Sequence, residues 1–357
     1  MADVTPFRAV RYTGAAGPLD DLVAPPYDAV DDAQRAALYT RSPYNVVHVT
    51  LPESPEAAAR LYETWFANAI LEHESEDAVW LAVEDYVGPD GVARQRHGVI
   101  GSVAALPYET GHVLPHERTH RPILEERLAL LRATRLQPEP ILLLAESPLG
   151  LTVPDRSPDL EVAGTRLWRV ASASALDAGQ LVVADGHHRY ESAVALGAET
   201  GSPVRIMALV VSTDDPGLHV FPTHRVFAGR PDLTERAEGE EHASLAEALA
   251  QLAGEPHERA AAVAYRRGRV EIVRGREGEL DADLVDRYGL EGIRYTHRAD
   301  EAAAAVDRGD ADVAFVLRDP RIEDVFAAAR AGVRMPQKST YFHPKPVSGL
   351  AFHPVAP

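Results

Sequence analysis

The residues best suited to chemistry fall at the end of one apolar run. Leu181-Val182-Val183-Ala184 leads directly into Asp185-Gly186-His187-His188-Arg189-Tyr190, and the spacing predicts a strand, a glycine turn and a helix. Backbone N–H groups at such a helix start, with the helix dipole behind them, attract anions, and Gly186 lets a ligand approach the backbone. His187, His188 and Arg189 add donors suited to phosphate oxygens. Asp185 can cap the helix or hold a cation such as Mg²⁺. The plainer alternative is a polar helix cap flanked by surface histidines.

His116-Glu117-Arg118-Thr119-His120 matches the H-E-x-x-H pattern of zinc hydrolases. That chemistry needs one continuous helix so that both histidines face the metal. Pro122 would remove a hydrogen bond from such a helix and clash with the carbonyl of Arg118. The segment is therefore read as a loop without zinc, carrying Glu117 as a lone general base. Two further groups combine cations with hydroxyls suited to phosphate or a polar substrate: Lys338, Ser339 and Thr340 with Arg334, and Thr223, His224 and Arg225. Walker A, strand-linked G-x-G-x-x-G and G-x-S-x-G signatures are absent from the sequence, which argues against P-loop enzymes, Rossmann oxidoreductases and serine hydrolases.

The elements that must position these residues can be read coarsely. Proline content makes Leu22 to Asp28 a rigid, extended piece. Pro55 to Leu71 carries helical spacing, with Pro in the first turn. Ala78 to Val83 and His97 to Val103 read as an antiparallel pair around the turn Gly88-Pro89-Asp90-Gly91. A helix over Ile123 to Arg135, a strand over Pro140 to Leu144 and a buried strand over Val204 to Val211 complete the middle. A helix over Ala243 to Leu252, a hairpin turning at Arg267-Gly268 and a strand over Val313 to Leu317 follow. Met335 to Lys345 is aromatic, basic and bracketed by proline, which predicts docking onto the body rather than a free tail. The domains expected are 1–105, 106–230 and 231–357, the last returning to the site at its end.

Composition narrows the function classes. The 357 residues carry a formal charge of −18, which opposes wrapping of nucleic acid, because phosphate neutralisation needs clustered cations. Cysteine is absent, so disulfides, thiolate metal sites and a cysteine nucleophile are excluded. No apolar run approaches the ~18 residues of a membrane helix, and the start of the chain lacks a signal peptide's apolar stretch. A soluble, cytoplasmic protein is expected, without a membrane or nucleic-acid partner and with a homodimer open to it.

Six ordered motifs resemble the bacterial family called domain of unknown function 1015: Thr5 to Tyr12, Ala24 to Asp28, Ser42 to His48, Ala184 to Tyr190, Pro222 to Arg225 and Met335 to Lys345. A more distant resemblance covers roughly the C-terminal two-thirds. Pro115-His116-Glu117, Val183 to Tyr190 and Lys338-Ser339-Thr340 occur in the order seen in archaeal ADP-dependent free-serine kinases of the ParB/sulfiredoxin-like superfamily. That resemblance implies an α/β (α+β) fold with a ParB/sulfiredoxin-like core, an added N-terminal α/β unit and a C-terminal α/β unit. It also implies Glu117 as base for a serine hydroxyl and Asp185, Gly186, His187, His188 and Arg189 as the nucleotide phosphate loop. Lys338 to Thr340 would then border the amino-acid site.

The function expected is nucleotide-dependent phosphoryl transfer to serine or a related hydroxyl compound, with ADP or ATP as donor and Mg²⁺ bridging phosphate oxygens near Asp185. The main alternative is a non-catalytic nucleotide sensor, which needs the phosphate loop but no base beside it. A ParB-like DNA-binding or nuclease role is opposed by the net charge and by the lack of a basic helix.

Overall fold

In the computed structural model, which describes residues 2–171, 174–235 and 239–355, strands gather into two main sheets, and those made of apolar runs are buried on both faces. Eight of the strands are β1 (Ala78–Val87), β2 (Ala93–Ala104), β3 (Val113–Pro115), β4 (Ile141–Ala145), β5 (Leu160–Val162), β6 (Thr165–Ala171), β7 (Leu181–Asp185) and β8 (Arg205–Ser212). They form one sheet in the order β3-β7-β4-β8-β2-β1-β6-β5. Its β3–β7 and β4–β8 pairs are parallel and the remaining pairs antiparallel.

Alternation along the strands divides the core in two. Val79, Leu81, Val83, Ile141 and Leu143 pack with Tyr190, Ala193 and Leu196, whereas Trp80, Ala82, Leu142 and Leu144 pack with Phe326, Met335 and Phe342. The first face is covered by α1 (Arg121–Thr134) and α2 (His187–Thr200). The second is covered by a helix over Ile322–Arg330 and by the C-terminal segment. Two-sided burial explains why β4, β7 and β8 read as nearly unbroken apolar runs.

The domain limits expected from the sequence place the hairpin β1–β2 in a separate N-terminal unit, but β2 pairs with β8 over Val99 to Ala104. The sheet therefore crosses the boundary drawn at residue 105, a long-range pairing that local periodicity does not report. A third core lies largely within residues 10–71, gathered around Trp65, Leu38 and Val47 and closed by Leu136 and Phe352, whereas Val4, Phe7 and Val23 pack into the cores of the central sheet. The helix predicted to reach Leu71 stops at Ala67, and Leu71–His73 pairs with Val10–Tyr12 as a short strand. The C-terminal unit is a second sheet of β9 (His224–Phe227), β10 (Glu240–His242), β11 (Arg259–Arg266), β12 (Arg269–Glu277), β13 (Ile293–Thr296) and β14 (Val313–Leu317). Its order is β10-β12-β11-β14-β9-β13, antiparallel throughout.

The chain then returns to the central sheet. Tyr341–Phe342 pairs with Val220–Phe221, Val10 bridges to Phe352, and His353–Pro354 pairs with Leu136–Gln137. Among the described residues, no helix is long and apolar enough to cross a membrane. The mixed α/β architecture expected from the sequence is the one observed.

Candidate functional site

The end of β7 builds the floor of the site. The β7–β4 register shifts between Val183 and Asp185, an irregularity that re-aims the last residues of the strand. Gly186 follows with φ +95°, a conformation that side chains with a Cβ rarely adopt. A Cβ there would also lie 2.6 Å from Ile141 Cγ2. With glycine in place, α2 starts at His187 and no side chain caps it. Its first amides and the positive end of its dipole are therefore left for a ligand.

A cavity of about 510 Å³ opens over this helix start, a volume suited to a small-molecule ligand. It is lined by Asp185 to Arg189, by Glu117, Arg118 and His120 from the loop after β3, by Tyr27 and Asp28, and by Lys338, Thr340, Tyr341 and Lys345. Residues more than 150 positions apart in the chain thus share one space.

His116-Glu117-Arg118-Thr119-His120 is extended rather than helical, and α1 begins only after it, with Pro122 in its first turn. The helix that the zinc pattern requires is not formed. His116 instead joins three parts of the site. Its Nδ1 donates to the Val183 carbonyl at 2.6 Å, so its Nε2 accepts from the Thr340 hydroxyl at 3.0 Å. Burial pushes its pKa down to about 4, which keeps this neutral tautomer. The Met335 amide donates to the His116 carbonyl, and Arg334 Nη1 donates to the Pro115 carbonyl. Those bonds bring the C-terminal segment back to the cavity.

Glu117 makes no ion pair or side-chain hydrogen bond among the described residues. Burial raises its pKa to about 7, with Lys338 drawing it partly back. Lys338 and Arg118 are exposed at the cavity and carry no ion pair among the described residues. Lys338 sits at φ +58°, and its carbonyl accepts from the buried Arg225.

Other sequence-predicted residues are spent on structure. Asp185 does not cap α2. Its Oδ2 takes Arg189 Nη2 at 2.8 Å and its Oδ1 takes Lys345 Nζ at 3.0 Å. Burial alone would raise the Asp185 pKa, but Lys345 and Arg189 outweigh it and hold it low. Arg189 also donates to the Pro140 carbonyl, so this guanidinium is a brace rather than a free phosphate clamp. His188 Nε2 accepts from the His120 amide at 2.9 Å. His187 is buried at the cavity with Nε2 unpartnered, and burial drives its pKa well down.

Thr223, His224, Arg225 and Ser339 do not line the cavity. The His224 ring accepts from the Leu317 amide, Ser339 donates to the Pro336 carbonyl, and Arg225 donates to the carbonyls of Thr223 and Lys338. All four are expected to touch substrate, but Arg225 and Ser339 instead hold the segment that carries Lys338 and Thr340, His224 holds β14, and the Thr223 hydroxyl faces His297. Their hydroxyls and cations look alike in sequence whether they face a ligand or a carbonyl.

The cavity also contains residues that the sequence reading left out. Asp28, reached through Pro25 and Pro26, pairs with Lys345 at 2.6 Å. Tyr27 donates its amide to the buried Glu139, and Arg127 stacks 4.2 Å over its ring. His297 stacks on Tyr341 with ring centres 3.5 Å apart. A charged residue closing a doubly proline-fixed segment was the available signal for Asp28.

The donors present do not fit a protein-held Mg²⁺ at Asp185, because both of its oxygens already face a cation. The described residues also contain no group of three metal-ligating side chains.

Comparison with known proteins gives the family. Residues 4–288 match the model of the family described as "Protein of unknown function (DUF1015)", and the chain belongs to that family. No curated protein matches it. Among solved structures it is similar to a conserved hypothetical protein from Pyrococcus furiosus, at 16% identity over 68% of this chain and 90% of that one, with a TM-score of 0.40. A free serine kinase in complex with AMP aligns at 17% identity over 68% of this chain and 86% of that one, with a TM-score of 0.43. SbnI with a C-terminal truncation, from Staphylococcus aureus, aligns at 15% identity over 68% and 82%, with a TM-score of 0.41.

Proposed function

We propose that the cavity binds a nucleotide through its phosphates and transfers a phosphoryl group to a small hydroxyl compound, serine or a relative, with ADP or ATP as donor. The observation that carries this reading is one cavity containing Glu117, Lys338 and Arg118, none of them ion-paired among the described residues, beside an uncapped helix start. Phosphoryl transfer asks mainly for positioning and for charge stabilisation.

In this reading the α2 amides, Lys338 and Arg118 hold phosphate oxygens. Glu117, with a pKa of about 7, is half ionised near neutrality and suited to proton transfer. It takes the proton of the acceptor hydroxyl as that oxygen bonds to the terminal phosphorus. The bond from phosphorus to its bridging oxygen breaks, and the leaving phosphate carries its charge to the α2 amides and Lys338. Thr340, whose proton goes to His116, offers its lone pairs to the acceptor. Asp185 is engaged elsewhere, so any Mg²⁺ arrives on the nucleotide and no step is assigned to it.

A second reading, nucleotide binding without turnover, is favoured by that same engagement of Asp185, whose two oxygens are held by Arg189 and Lys345. Calorimetric titration with ADP and ATP, followed by phosphorus NMR for phosphoserine in the presence of free serine, separates the two. Glu117→Gln is expected to bind nucleotide as the parent does and to lose ~100-fold or more in turnover, the scale of a lost general base. Absence of nucleotide binding by the parent overturns both readings. Unchanged turnover in Glu117→Gln removes the base.

A further inference from the structure

Asp28, Lys345 and Asp185 reach the cavity from a turn near the N-terminus, the C-terminal segment and the end of β7. Lys345 Nζ lies 2.6 Å from Asp28 Oδ2 and 3.0 Å from Asp185 Oδ1. The two oxygens are therefore no further apart than those lengths laid end to end, against ~4.2 Å for two oxygens across a Mg²⁺ ion. Two carboxylates converging on one point are the donors a divalent ion would also use, but the place is taken by the Lys345 ammonium.

We propose that the Lys345 ammonium is the resident cation of this cavity, filling the gap between Asp28 and Asp185 that a divalent ion would otherwise bridge. The site then takes its phosphate ligand without a protein-bound metal ion. The second statement rests on the phosphate reading above, and the first does not.

The charge balance supports this placement. Asp185 immediately precedes the turn whose amides face the cavity, and an uncompensated pair of carboxylates there would repel phosphate. Lys345 and Arg189 cancel Asp28 and Asp185. Lys338 and Arg118 then remain against the single partly ionised carboxyl of Glu117, which leaves the helix start attractive to an anion. The ammonium is held by its two carboxylates, and the backbone that carries it is anchored where Tyr341–Phe342 pairs with Val220–Phe221. Unlike a metal ion, it cannot be drawn out by a chelator.

The test uses Mn²⁺ alone as probe, followed by electron paramagnetic resonance on the full chain. The parent is expected to show no saturable Mn²⁺ site below ~1 mM, the weak end of carboxylate sites. Lys345→Met, shown to be folded by circular dichroism, is expected to gain one site, lost again when Asp28→Asn is added. A parent site that Asp185→Asn abolishes overturns the proposal, as does a folded Lys345→Met without a site. Where Lys345→Met does not fold, the parent titration decides.

The second arm compares ADP affinity in EDTA and in Mg²⁺. The two values are expected to agree within ~3-fold, and a gain of tenfold or more with Mg²⁺ that Asp185→Asn removes overturns metal-free binding. If ADP does not bind under either condition, the phosphate reading falls and the statement of metal-free binding falls with it, while the Mn²⁺ arm still decides the role of Lys345.

Discussion

Replacing Glu117 with glutamine should stabilise the protein at alkaline pH while disabling the site. Burial raises the Glu117 pKa from 4.5 to about 7, although Lys338 pulls the other way. Between those values the native state keeps a proton that the unfolded chain has released. The stability this contributes is fully present below pH ~4.5 and is lost as pH rises through ~7. Above pH 7 the ionised carboxylate costs about 3 kcal/mol relative to the same group in water. Glutamine has nearly the same shape and does not ionise. Glu117→Gln and the parent should therefore be about equally stable at pH 4.5, with the variant up to ~3 kcal/mol more stable at pH 8. For a chain of this length that corresponds to a rise in Tm of about 4 °C. Scanning calorimetry of both proteins across pH 4.5 to 8.5 measures the difference directly. A difference that stays flat across this range would refute the claim that the fold holds Glu117 against ionisation.

Lys338→Ala should weaken ADP binding by ~10- to 100-fold, the scale of a charge-assisted hydrogen bond, with Tm nearly unchanged because its ammonium has no partner among the described residues. Equal affinity by calorimetry would take Lys338 out of the site. Arg189→Ala should act on folding, losing its bonds to Asp185 and Pro140 and about 3–5 kcal/mol of stability. A denaturant titration showing less than ~1 kcal/mol would argue that the pair is not a brace. Phe352 is fully buried against Tyr12 and Tyr62, so Phe352→Ala should cost ~3–5 kcal/mol in the same assay. The segment from 334 to 355 thus carries core contacts as well as the site, and point variants rather than truncation test the role of Lys338 and Thr340.

The sequence by itself determined what depends on near neighbours. Pro and Gly chemistry with apolar periodicity marked most strands and helices, and Asp185-Gly186-His187 announced a helix start that an anion could approach, because the φ that glycine permits is a local property, whereas the missing cap was decided by Arg189 and Lys345 closing on Asp185. Pro122 was enough to deny the histidines of H-E-x-x-H a shared helix. Tertiary structure alone decided which charges are free. Arg189 and Lys338 are interchangeable as letters, yet one is neutralised by Asp185 and the other faces the cavity. Arg225 and Thr223 resembled substrate ligands until their partners proved to be backbone carbonyls and a neighbouring histidine. Asp28 became part of the site only when Lys345, more than three hundred residues later, closed on it. A side chain's availability is set by whatever packs against it, and those contacts are made between strands and segments whose pairing leaves no local periodic trace in the chain.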